Sequence, residues 1–119
     1  MKVAEKKYIS SRNSYYEKRM IYKKVRLIVY NKKSIIDKII SIIDSLIETI
    51  DGLEDYSKKE QLIQPMTGLL DSCSSLIDWA IEALLTFDSL ADYDKLLCSF
   101  SSFVTPIVCT TYQIYDNVV

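Results

Sequence analysis

The chain has 119 residues, 49% of them hydrophobic and 26% charged, with a formal net charge of −1. That is long enough for one domain with a real core and too apolar for an intrinsically disordered segment. Only two Gly and two Pro are present, fewer than the turns of a β architecture or a βαβ fold consume, so the expected class is all-α. The absence of His removes the commonest general base, the Ser and Cys triads that rely on it, and imidazole metal ligation. Two isolated Gly exclude a phosphate-cradling loop and a dinucleotide fingerprint. The expectation is a protein without enzymatic activity, cofactor, metal or small-molecule substrate.

Charge is unevenly spread. Residues 1–33 hold eleven Lys or Arg against two Glu, a surplus of nine, and residues 34–119 hold four cations against fourteen acids, a deficit of ten. Either the basic segment neutralises acids of the same molecule, or it offers a surface to an anionic partner. Cys73, Cys98 and Cys109 lack the pair spacing of a metal knuckle or redox motif and read as small core residues in a reducing compartment. No charged-then-apolar leader with a cleavage site opens the chain, so the expected location is cytoplasmic, with non-classical export as the exception.

Taken in order, Tyr8, Tyr15, Tyr22, Val29, Ile36, Ile43 and Ile50 recur every seventh residue, with Val25, Ile39, Leu46 and Leu53 filling the intervening positions. This heptad seam predicts one long helix over residues 8–53, or two nearly collinear ones. Ser34 and Asp37 have the spacing of a capping pair, which offers a second helix start and a tight corner at residues 31–34. Residues 35–50 carry eight Ile and Leu46, an apolar face so wide that one neighbouring helix cannot cover it. Beside the first seam run Ile21, Ile28, Ile35 and Ile42.

Asp51-Gly52-Leu53-Glu54-Asp55-Tyr56 is the clearest break. Gly52 is expected in the left-handed conformation there, and Ser57-Lys58-Lys59-Glu60 fits a capping box that starts a helix near Lys58, so the turn falls at residues 51–57. The next seam runs through Leu62, Met66, Leu69, Cys73, Leu76, Ala80, Ala83, Phe87 and Leu90, and it weakens at residues 88–92, where a kink or turn is predicted. Pro65 and Pro106 are further candidate kinks. Residues 96–115 contain no charge, yet their Ser, Thr and Gln favour a buried helix over a membrane span. The predicted architecture is a single domain over 1–119, either an antiparallel helical hairpin with arms of about 70 Å or an up-down four-helix bundle with heptad-type seams.

Three functional readings follow. Surplus apolar stripes point to association with a helical partner or a second copy through Ile21, Ile35 and Ile42, with Trp79 and Leu84 opposite; Trp79 is either an interface anchor or core of a second stripe. The basic, Tyr-rich segment, above all Lys18, Arg19, Lys23, Lys24 and Arg26, offers a surface to nucleic acid or an anionic membrane. Tyr8, Tyr15 and Tyr22 lie on the seam and are expected in the core instead of stacking on bases. Finally, Tyr112-Gln113-Ile114-Tyr115-Asp116 reads Tyr-x-x-x-Asp. On a helical hairpin turned at its midpoint, it resembles the small WXG100-like secretion partners of type VII systems. The resemblance implies that Tyr112 and Asp116 belong to an export signal carried by a helical pair, although Asp51-Gly52 stands where that family has Trp-x-Gly.

Overall fold

The computed structural model describes residues 3–29, 35–86 and 101–118. They form four helices, α1 (Val3–Val29), α2 (Ile35–Asp51), α3 (Tyr56–Thr86) and α4 (Ser101–Val118), and no strand occurs among the described residues. The all-α expectation therefore holds.

The single long helix over 8–53 does not form. At 1.5 Å per residue, Tyr8 and Asp51 would lie about 65 Å apart on one straight helix, whereas the Tyr8 hydroxyl donates to Asp51 Oδ1 at 2.7 Å. At the other end of the pair, Arg26 Nε lies 3.1 Å from Asp37 Oδ1. The two helices thus run antiparallel, and the longest Cα dimension is 47 Å, too short for a hairpin with arms of about 70 Å. The heptad phase crosses the break without slipping because both helices turn the same seam toward one core. The helix start expected at Ser34 and the corner expected at residues 31–34 lie outside the described residues; α2 is described from Ile35.

Between α2 and α3 the turn falls where the sequence placed it, by different chemistry. Gly52 does not adopt positive φ. Its N–H donates to Glu48 O at 3.1 Å and the Leu53 N–H to Ile50 O at 3.2 Å, so the last turn simply tightens. The cap of α3 is Asp55, not Ser57: Asp55 Oδ1 accepts the Lys58 N–H at 3.2 Å, and its carbonyl accepts the Lys59 N–H at 3.0 Å. An aspartate closer to the turn reaches the third free N–H, and helix formation begins two residues earlier than the capping-box spacing indicated. Residues 88–92 lie outside the described segments. α3 continues through Pro65 and α4 through Pro106.

α3 is the central element and packs against α1, α2 and α4. It runs in the direction of α1, since Tyr56 donates to Glu5 Oε1 at 2.7 Å near both starts and Lys18 meets Asp78 at 2.6 Å further along. Its early residues Leu62 and Pro65 share a groove with Gln113 and Ile114 of α4, which makes α4 antiparallel to it. One cluster of buried side chains joins all four helices: Tyr8, Tyr15 and Tyr22 from α1, the Ile-rich face of α2, the seam of α3 and Ile107 and Ile114 from α4. The wide face of α2 is covered from several sides, as its width requires, burying Ile36, Ile40, Ile43, Leu46, Ile47 and Ile50.

Candidate functional site

The polar chemistry of the described residues concentrates between α1 and α2. On α1, Tyr8, Tyr15 and Tyr22 are each followed four residues later by Arg12, Arg19 and Arg26. Positions four apart share a helix face, so this face carries a tyrosine and an arginine in every heptad. Facing it on α2 are Asp37, Asp44 and Asp51, also seven apart. Asp51 accepts the Tyr8 hydroxyl at 2.7 Å and Arg12 Nη1 at 2.9 Å. Asp44 Oδ1 accepts both the Tyr15 hydroxyl and Arg19 Nη1 at 2.8 Å. Asp37 holds Arg26, with 13% of each side chain exposed.

The rings add to this ladder. The Arg12 guanidinium carbon stands 5.7 Å from the Tyr8 ring centre, and that of Arg19 lies 5.9 Å from Tyr15 and 4.6 Å from Tyr16, within cation–π range. Burial is the main cause that pushes the Tyr8 and Tyr15 hydroxyls well above the usual phenol range, reinforced by Asp51 and Asp44 respectively. Both are therefore neutral donors at any physiological pH, a state that suits a structural hydrogen bond and opposes a nucleophile or base.

This ladder redistributes the basic candidates. Arg19 and Arg26 are bound to Asp44 and Asp37, and Lys18 to Asp78 of α3. Much of the positive charge of α1 is thus met by acids of the same molecule, located on α2 and α3. Lys23 and Lys24 remain exposed. The expectation that Tyr8, Tyr15 and Tyr22 are core is met, as all three are buried.

The apolar candidates separate. Because α2 folds back on α1, Ile21 and Ile42 do not continue one stripe; each lies on the outside of its own helix, 48% and 49% exposed. Ile35 and Trp79 are half-buried and pack against the core. Leu84 is fully buried, and its expected place on a partner surface is corrected accordingly: it completes the seam of α3 inside the chain. Tyr112 and Asp116 are exposed one turn apart on α4.

No group of three or more His, Cys, Asp or Glu among the described residues is arranged to hold a metal. The groove between α3 and α4, lined by Lys58, Gln61, Leu62, Pro65, Gln113 and Ile114, gathers no nucleophile and base. No described helix is long and apolar enough to cross a membrane. The ladder itself was open to sequence reasoning, since Arg12, Arg19 and Arg26 and Asp37, Asp44 and Asp51 are two heptad series that mirror the tyrosines. No known protein family, curated protein or solved structure matches the chain.

Proposed function

We propose that this chain is a non-catalytic helical interaction protein that docks a second helical chain, its own copy or another, on the outer face of α2. The observation that carries the reading is the pair Ile35 and Ile42. They lie seven residues apart on one face; Ile42 is 49% exposed, and Ile35, like Ile39 between them, is partly buried with its remaining surface open beside Ile42. A heptad step of β-branched side chains is what a further helix packs against. Asp37, Asp44 and Asp51 and the Tyr8 and Tyr15 hydroxyls are engaged in the α1–α2 ladder, which supports a structural role for that cluster.

The test is the mass of the protein and its complexes in solution, together with capture of a stoichiometric partner from native cells. Ile35→Asp with Ile42→Asp is expected to abolish assembly, and Ile42→Asp alone, at the exposed position, should weaken it while leaving helicity intact. A wild-type chain that is monomeric and captures nothing, or a double variant with unchanged assembly, rejects the reading.

A second reading rests on Tyr112 and Asp116, both exposed on one face of α4 as a surface-read signal would be. In that reading the chain is a helical partner in a type VII-like export system. Tyr112→Ala with Asp116→Ala, both at exposed positions, should stop secretion while the fold persists; continued secretion rejects it.

A further inference from the structure

The cations of α1 divide by chemistry as well as by place. All three arginines face inward to the aspartates of α2, and Lys18 is bound to Asp78. The exposed remainder is lysine only: Lys6, Lys7, Lys23 and Lys24. Around them stand the large apolar side chains that α1 leaves outside. Near its end, Met20, Ile21 and Leu27 are 53%, 48% and 62% exposed, and Met20, Lys23, Lys24 and Leu27 are mutual neighbours at spacings of three and four. Near its start, Val3, 70% exposed, has Lys6 and Lys7 at those same spacings. The two clusters lie on one helix, about 36 Å apart end to end at 1.5 Å per residue.

We propose that the outer face of α1 binds an anionic lipid surface, with the lysines among the headgroups and Met20, Ile21, Leu27 and Val3 at the acyl boundary. Three features favour this occupant. Lysine is a hydrated point charge on a flexible stem, suited to a diffuse anionic surface, whereas planar recognition of phosphates and protein interfaces favours arginine. The exposed apolar groups beside the lysines are aliphatic and cannot stack on bases as a single-stranded nucleic-acid surface requires. At each end of this face lysines stand beside aliphatic side chains, as in a helix lying in the membrane interface, while the stretch between them carries Ser10, Asn13, Ser14 and Glu17. This face is separate from the Ile35–Ile42 stripe of α2, so the two proposals stand or fall independently.

The test is co-sedimentation of the full chain with phosphatidylcholine vesicles, with and without phosphatidylserine. Binding is expected only when phosphatidylserine is present, and it should fall as salt rises. Lys23→Gln with Lys24→Gln should weaken it about twenty-five-fold, roughly fivefold for each lysine. Met20→Ser with Leu27→Ser should weaken what persists at high salt, because that part comes from apolar insertion. Circular dichroism of each variant is expected to match the wild type, since none of these side chains is in the core. No sedimentation with the anionic vesicles, or sedimentation insensitive to the lysine variants, overturns the proposal. Retention of duplex DNA at the same ionic strength, as tight as that of vesicles and unchanged by Met20→Ser with Leu27→Ser, also overturns it and transfers the lysines to nucleic acid.

Discussion

Tyr15 and Arg19 reach the same oxygen of Asp44, each at 2.8 Å, so one carboxylate satisfies a fully buried hydroxyl and a half-exposed guanidinium together. Removing the hydroxyl alone leaves Asp44 its arginine, and Tyr15→Phe is expected to cost about 1–2 kcal/mol. Removing the carboxylate leaves the Tyr15 hydroxyl only the Ile40 carbonyl, at 3.4 Å, and Arg19 only its solvent-facing side, and Asp44→Ala should cost about 2–3 kcal/mol. Urea denaturation of the two variants and their double mutant checks the coupling. The double should lose less than the sum of the singles, and strict additivity would show that the shared oxygen carries no energy.

The same rungs make the fold sensitive to alkali. The Tyr8 and Tyr15 hydroxyls are held above their ordinary value of 10.0, first by burial and then by their aspartate partners. A group raised in the folded state contributes stability that is fully present below its unfolded pKa and is lost as pH rises beyond it. Stability should be flat with respect to these groups up to about pH 9 and should then fall by up to about 1.4 kcal/mol per pH unit for each hydroxyl. Urea midpoints measured across that range check this. Tyr15→Phe should make the fall shallower, and an unchanged slope would contradict the assignment.

Gly68 sits inside α3 on its exposed side, and a Cβ there would meet nothing within 4 Å. Gly68→Ala should therefore raise stability by about 0.5–1 kcal/mol through helix propensity alone. Thermal melting should register this as a gain of about 2–5 °C. Gly52→Ala gives the contrast, since its Cβ would stand 3.2 Å from Glu48 O, and no gain is expected.

Burial pushes the Cys73 thiol up to about 12, while Cys109 is exposed on α4. A thiol reagent acts on the thiolate. Alkylation at neutral pH, followed by peptide mass spectrometry, should label Cys109 in the folded protein and Cys73 only in denaturant. Labelling of both at equal rates would place Cys73 outside the core.

The helical class, the turn near Gly52 and most of the core were legible because heptad spacing and scarce Gly and Pro report local geometry directly. Tyr15, Ile43, Leu69 and Leu76 all stand on the seam and all are buried. The fold-back between α1 and α2 was not legible in that seam, since a repeat of seven looks the same whether the helix continues or returns. The cap at Asp55 was missed because Ser57 and Glu60 also satisfy a capping pattern, and only the backbone position decides between them. Among the candidate surface residues, Ile42 and Lys24 are exposed while Leu84 is enclosed. Periodicity marks which residues share a stripe, but not which stripe a third helix already covers.

The three rungs of the α1–α2 ladder are chemically interchangeable. A slip of one heptad, about 10 Å, would still set two arginines opposite two aspartates, so the ladder supplies attraction without choosing an alignment. Contacts outside the ladder distinguish the alignments, since Lys18 meets Asp78 and Tyr56 donates to Glu5, which set α1 against α3. Interchangeability also extends between molecules. The α1 of one chain finds in the α2 of another the same aspartates it has at home, and covalent tethering, acting as a high local concentration, is what favours the closed form over exchange of helices between copies.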